Sequence, residues 1–441
     1  MMPLSAPTDT VSLSIPALAP YMKLLSRFVE TCGEASGLAR PDCISLELAA
    51  EEIFMYMTHT ACPGNTLNIE CRNGIYYSEL IFRCSAADMN LRGLNIVPVA
   101  ALSLDDECDL TEIGLLMAAR SVDRLQITME KHNQIMLCLT KEKTYPRIVE
   151  EPPTPETVGS ITVETPDPER IKHFSLLVGA RFPEQDRPSF FHYPGKLVDM
   201  VAGGKYHCLI AMDARKNIQG GILFLPRTEK IVECFGPYVF VPAAGVGEAL
   251  LDACIGKIAR GKALGLLNSC GLPHGLENNF EALGHQTFYP TDGPALPVPS
   301  FYRHLHEDPG AEVWSHACLE SYLTEHYRRL YLMRQIRLIR DMRETRSGFS
   351  LFTAEIGHEQ SRASLSPLLP GADCAQNLAR HIRFIAQERI RNIFFTLDLD
   401  IPWHAELMPF LLGQGFRPQM IMPFAGRSDL LVFQYHDDAQ S

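Results

Sequence analysis

Two adjacent carboxylates, Glu51 and Glu52, sit in the apolar stretch EEIFMYMTHTA at 51–61, with Tyr56 one helical turn beyond. Paired carboxylates can do general acid–base work, but solvated helix residues have the same appearance, and that plainer reading is preferred. His59 follows with no nucleophile paired to it and reads as a helix-end or core residue. A second stretch, YVFVPAAGVGEALLDAC, puts Gly245, Val246 and Gly247 between a strand pattern and a helix pattern. Backbone N–H groups at such a helix start can cradle a phosphate. The same glycines can instead let strand and helix pack closely. A third, LDLDIPWH at 397–404, offers two aspartates and a histidine. A metal would need further ligands, and strand-end capping accounts for them. The thirteen cysteines are scattered singly, without a CxxC pair or zinc spacing, and read as buried reduced thiols. No metal site is expected.

The elements that must position these groups fall into three blocks. In the first, helical patterns run through PYMKLLSRFVETCGEASGL and 43–60. The strands TLNIECRNG and YYSELIFRC follow, with Asn73-Gly74 at their turn, then the helix TEIGLLMAARSVD and the strands RLQITMEKH and QIMLCLTKE. That order predicts an α/β sandwich with helices on one face of a mixed sheet. A Pro- and Glu-rich linker covers 148–159. The second block, 160–306, alternates strands and helices and includes a short helix at LENNFEAL. The third, 307–441, is expected to open with long helices over 311–346 and to continue as strand–helix units. The later parts of blocks two and three share an order of elements, which suggests an internal duplication. The fold class is therefore a multidomain α+β or α/β chain: an amino-terminal sandwich over 1–147, a linker, and one or two mixed-sheet domains.

The first block resembles the anti-sigma-factor kinases of the histidine-kinase-like ATPase superfamily. The resemblance rests on EEIFMYMTH, SELIFRCSAADMNL, EIGLLMAARSVDRLQITME and NQIMLCLTKEK, and covers about residues 20–143. It implies that Glu52 takes the place of the carboxylate that polarises the attacking group. The family's magnesium-holding Asn is Tyr56 here, its adenine-binding Asp is Cys84, and the Gly two residues on is Ala86. The phosphate-cradling turn reads Glu112-Ile113-Gly114 and keeps only its second glycine. A phenol is a poor magnesium ligand, a thiol does not replace a carboxylate acceptor, and Glu112 brings like charge towards a triphosphate. The shell is expected to persist, with ATP and magnesium binding lost.

The second block resembles the GCN5-related N-acetyltransferases over most of 160–290. In that family a loop after the central strand binds the acetyl-CoA pyrophosphate at a helix N-terminus. That role falls to Gly245, Val246 and Gly247, while the loop's leading basic or amide residue is Pro242. The family's tyrosine acid is replaced by Phe280, four residues before Gly284. Glu233, on the strand before the loop, stands where a general base could act, or is an ordinary strand carboxylate. Block three resembles a less complete unit of the same kind. Its loop, LLPGADCAQNLARH, carries Gly371 and an Asp373 that would repel a phosphate.

The chain has 40 basic and 52 acidic side chains, a net charge of −12, which argues against general binding to nucleic acid or anionic membrane. No apolar run reaches membrane-spanning length, and no signal peptide is read, so a cytoplasmic location is expected. The Arg-rich stretch 321–346 reads as a helix whose arginines pair with the chain's own carboxylates. Together the resemblances imply a bacterial regulatory protein that binds a sigma factor or an anti-sigma-factor antagonist. The alternatives are an acetyl-CoA-dependent N-acetyltransferase and an active Ser/Thr protein kinase. Acetyl-CoA is the cofactor left open, and so is a homodimer.

Overall fold

The computed structural model describes residues 9–60, 66–85, 91–95, 110–130, 134–149, 152–153, 160–241, 245–273, 275–290, 293–339, 348–357 and 361–436. Among them the chain builds several mixed α/β layers. The amino-terminal unit contains β1 (Asp9–Pro16), α1 (Met22–Ser36), α2 (Arg40–Thr60), β2 (Thr66–Asn73), β3 (Tyr77–Ser85), α3 (Leu110–Ser121), β4 (Arg124–Glu130) and β5 (Gln134–Glu142). The strand order is β1-β2-β3-β5-β4, and each described pairing is antiparallel rather than mixed. The reason is local. β4 and β5 are sequence neighbours that pair antiparallel, and β5 returns between β4 and β3. β1 is a strand that sequence reading passed over, although Val11, Leu13 and Ile15 alternate with polar residues. Helices α1 and α2 bury Leu25, Val29, Leu46 and Phe54 in one core with Ile69, Leu80 and Phe82 of the sheet.

The middle unit contains β6 (Thr162–Glu164), α4 (Pro168–Arg181), α5 (Pro194–Ala202), β7 (His207–Met212), β8 (Ile218–Pro226), β9 (Ile231–Val239), α6 (Val246–Ile258), β10 (Gly265–Asn268), β11 (Glu281–Phe288) and β12 (Leu296–His304). Its sheet runs β11-β12-β10-β9-β8-β7-β6, and β9 and β10 are its parallel pair. Helix α6 connects these two strands and covers one face, packing Val246, Leu250 and Cys254 on Val232 and Cys234. Helices α4 and α5 lie on the other face, with Phe174 and Leu197 against Ile210, Leu223 and Tyr238. The expected helix at LENNFEAL is a single 3-10 turn, Glu277–Asn279, followed by β11. The antiparallel pairing of Glu281–Phe288 with β12 overrides the local helical pattern.

The carboxy-terminal unit corrects the sequence reading further. Residues 311–339, the described part of 311–346, do not form long helices. Instead β13 (Ala311–Ser315), α7 (Glu320–Arg329) and β14 (Arg334–Leu338) make a parallel two-stranded ribbon with a crossover helix. Helix α7 ends where Tyr331 takes a left-handed φ of 54°. Then come β15 (Leu351–Gly357), β16 (Arg362–Leu369), α8 (Cys374–Gln387), β17 (Asn392–Asp398), the short helices α9 (Pro402–Ala405) and α10 (Met408–Gly413), β18 (Phe416–Met422) and β19 (Leu430–Tyr435). The order β15-β16-β17-β19-β18 matches β8-β9-β10-β12-β11 strand for strand. The senses match too: β16 and β17 are parallel, and the other pairings are antiparallel. The two units thus repeat one topology.

Side-chain amides join the units. Gln434 accepts from the Thr287 N–H at 2.8 Å and donates to the carbonyl of the same residue. Asn392 does the same for Tyr289, at 2.8 and 3.1 Å. Asn95, buried, donates to the Ser350 carbonyl at 2.7 Å and accepts from Phe352 N–H and Asn377, both at 3.1 Å. Beside it Leu351, at the start of β15, enters the amino-terminal unit's own core. No described helix is long and apolar enough to cross a membrane.

Candidate functional site

A cavity of about 710 Å³ opens where the three units meet. Strand periodicity explains its walls. On β16 and β17 the residues Arg362, Ser364 and Ser366, and Asn392, Phe394 and Thr396, recur every second position and line it. The alternate residues Ala363, Leu365, Ile393, Phe395 and Leu397 face the core behind. The middle unit contributes the end of its own parallel pair. β9 and β10 pair only from Ile231 opposite Gly265 to Cys234 opposite Asn268. Beyond that the Asn268 amide reaches across to the Gly236 carbonyl at 2.7 Å. Glu233, Phe235, Ser269 and Cys270 then face the cavity, and Gln126 and Thr128 of β4 close a third side. Carboxyl ends of parallel strands are where α/β sheets place ligands, because the ladder opens there between two connections.

Both oxygens of Glu233 are engaged. Arg227 Nη1 donates to one at 2.9 Å, and Ser269 Oγ to the other at 3.0 Å. Cys270 is a protonated thiol: burial, with the Glu233 charge beside it, pushes its pKa up to about 12. Arg187 donates to the Phe182 carbonyl at 2.7 Å and meets His192 Nε2 at 3.1 Å. Arg362 stacks on Phe394, 4.3 Å from the ring centroid. Much of its side chain is open, but the opening gives onto the cavity. The low-dielectric walls around it lower its pKa from the usual arginine value, against the raising effect of the Glu233 charge. Phe280 packs edge-to-face on Phe301, 6.5 Å between centroids, and the described lining of the cavity contains no tyrosine.

The two glycines before α6 do different things. Gly245 has φ 90°, and a side chain there would meet none of the described residues within 4 Å, so among them the helix start is open. Val246 is in the core, and a Cβ on Gly247 would lie 2.8 Å from Leu276, so that glycine serves packing. The first turn already carries an exposed Glu248. At the equivalent start of α8 the chain's own backbone fills the place: a Cβ on Gly371 would strike Phe349 at 2.1 Å. Asp373 there accepts from the Ser350 N–H at 2.5 Å and pairs with Arg380 at 3.2 Å. The open helix start thus belongs to the middle unit and its blocked counterpart to the carboxy-terminal one.

In the amino-terminal unit Glu52 lies beside Gly114, where a Cβ would approach its carboxylate to 2.2 Å. Tyr56 is buried with its ring against Gly93, and the Cys84 thiol lies 3.9 Å from the Ile135 carbonyl. Ala86 and the side chain of Glu112 lie outside the described residues. Glu51 accepts from Ser26. Asp398 accepts from the Asp400 and Arg427 N–H groups at 3.1 and 2.7 Å, and His404 Nδ1 accepts from the Asp398 N–H at 3.1 Å. These groups are occupied by backbone. Sequence reading found Glu233 and the α6 glycines but missed Arg362, Ser269 and Cys270. The alternation of RASLSP and NIFFT was the available signal, and β16 was not read as a strand.

No family model matches the chain, and no curated protein does. Solved structures align with about a third of it. An N-acetyltransferase from Staphylococcus aureus Mu50 aligns at 12% identity, over 34% of this chain and 100% of that one, with a TM-score of 0.29. A GNAT superfamily phosphinothricin acetyltransferase from Sinorhizobium meliloti, in complex with AcCoA, aligns at 17%, over 33% and 89%, with a TM-score of 0.27. An aminoglycoside 6'-acetyltransferase type Ii aligns at 15%, over 34% and 99%, also with a TM-score of 0.27.

Proposed function

We propose that the middle unit is an acetyl-CoA-dependent N-acetyltransferase whose acceptor amine lies in the three-unit cavity. The observation that carries this reading is the parallel pair β9/β10, which ends at the cavity while the loop from β9 leads to the open start of α6. The backbone N–H groups after Gly245 are the donors for the cofactor's pyrophosphate, with the helix dipole behind them. Bound there, acetyl-CoA supplies an activated acetyl thioester. Glu233 receives the acceptor: an incoming ammonium displaces Arg227 from its carboxylate, and Glu233 then takes the proton that must leave before the amine can attack. Ser269, which donates to Glu233, keeps that carboxylate oriented. The amino-terminal unit walls one side of the cavity through Gln126 and Thr128. This reading replaces sigma-factor binding as the leading one, because the ligand-sized space lies between the units.

Calorimetric titration with acetyl-CoA, followed by release of free thiol in the presence of a panel of amines, tests the reading. Glu248→Gln removes like charge from the first turn and is expected to tighten acetyl-CoA binding about two- to fivefold. Gly245→Asp, which adds charge at a left-handed position, should abolish binding. Wild-type protein that shows no heat at millimolar acetyl-CoA would refute it.

A further inference from the structure

Arg362 is unlike the other charged groups around the cavity. Arg227 has Glu233, Arg187 has a carbonyl and His192, and Gln126 holds Glu355 at 3.0 Å. Among the described residues Arg362 has no carboxylate within ion-pair distance and no hydrogen-bond acceptor; its contact is the Phe394 ring. Its side chain is exposed onto the cavity with its charge unpaired, and a guanidinium so placed is available to hold an anion. Around it the hydroxyls of Ser364, Ser366 and Thr396 make no side-chain hydrogen bond among the described residues, although they line the same wall. Phe235, Phe288, Val298 and Val432 add apolar wall among the other polar and charged groups of the lining. The volume lies within the range of about 300–1,000 Å³ typical of small-molecule sites.

We infer that this cavity binds a small organic monocarboxylate, gripped by the Arg362 guanidinium against the Phe394 ring. The planar fork of arginine matches the two oxygens of a carboxylate. The free hydroxyls supply further donors, and the aromatic and aliphatic side chains take the ligand's body. A dianion is disfavoured, because Glu233 and Glu355 stand close enough to act on Arg362 and would repel a second negative charge. The site does not depend on acetyl transfer. Joined to the reading above, and resting on it only for this step, it makes the acceptor an amine that also carries a carboxylate, with its ammonium at Glu233 and its carboxylate at Arg362. Ligand binding then touches walls from all three units and holds them together.

The test uses the full-length protein without acetyl-CoA, so that failure of the transferase reading leaves it intact. Sodium benzoate is the probe, with benzylamine and inorganic phosphate as the cationic and dianionic counterparts, read by thermal shift and calorimetry. Benzoate is expected to bind saturably and raise the melting temperature, phosphate to do neither, and any benzylamine binding, at Glu233, to be unweakened in Arg362→Gln. Arg362→Gln should weaken benzoate at least about tenfold and melt close to wild type, since the side chain is exposed and forms no ion pair among the described residues. Arg362→Lys should recover part of the affinity. Absence of benzoate binding at 10 mM or so overturns the site, as do equal binding of phosphate and unchanged benzoate affinity in Arg362→Gln. A Gln variant that melts well below wild type would also overturn it, by showing the charge to be structural.

Discussion

His381 shows how a single residue ties this fold to pH. It lies on α8, fully buried, with Nδ1 2.9 Å from the Asn377 carbonyl and its ring edge-on to Phe352. Burial, opposed only in part by that carbonyl, lowers its pKa to about 4. The folded state keeps this histidine neutral, whereas the unfolded chain protonates it near the ordinary value of about 6.5. Its contribution to stability is therefore complete above pH 6.5 or so and is lost progressively as the pH falls towards 4. Between pH 7 and 5 the loss is on the order of 2 kcal/mol for this one group. Urea unfolding of wild type and His381→Leu at both pH values measures it. The variant should lose about 2 kcal/mol less over that interval, and parallel losses would contradict the assignment. His404 is depressed to about 4 by burial as well and acts in the same direction.

At the scale of elements the Arg-rich segment carries the lesson. Read as one long helix, it would present a basic face. Its described part, 321–339, divides into α7 and β14, and Arg334 turns inward with its side chain 0% exposed. Arg334 pairs with Asp308 at 2.7 Å and grips Asp429 through Nε and Nη2 at 2.7 and 3.3 Å. The guanidinium lies 4.5 Å from the centroid of Phe424. Desolvation pulls the Arg334 pKa down, but the Asp429 hydrogen bonds and charge outweigh it and hold the pKa above the usual value. This triad fastens the β13/β14 ribbon to the loop before β19. Asp429→Asn leaves a buried arginine with half its counter-charge and removes part of the acceptor for the Phe424 N–H. A loss of about 3 kcal/mol or more in chemical denaturation is expected. A change below about 1 kcal/mol would mean that the triad adds little beyond its packing.

At the scale of the molecule the amino-terminal unit is built into the rest. Asn95 satisfies a carbonyl and an N–H of the residues around Leu351, and Asn377 closes the network from α8. Truncation by Asn95→Ala strands the buried Phe352 N–H, at about 1–3 kcal/mol, while the Ser350 carbonyl keeps its bond from Asn377. Hydrogen exchange should then quicken in β15 and at the start of α8 while α1 and α2 keep their protection. Uniform quickening in all units would show that the interface is not a separable layer. The cavity follows from the same arrangement, since no unit encloses it alone.

The sequence alone determined the local elements wherever periodicity was strong. These are α1 to α4 and α6, the hairpins of the amino-terminal sheet, β7 to β10, and the Gly-Val-Gly start of α6; α5 was not read. Each depends on residues a turn or a pleat apart, so neighbouring side chains suffice to specify it. It also presented Glu233 as a strand carboxylate in the right neighbourhood. What only the tertiary structure decided was partnership: that Glu233 is held by Arg227 and Ser269, that Gly247 packs on Leu276, and that Phe349 and Ser350 block the start of α8. Arg362 became visible as a candidate ligand-binding group for the same reason. Burial, pairing and cavity walls arise between residues far apart in the chain, where local pattern carries no information and the packing of the sheets settles which charges are met and which are left open.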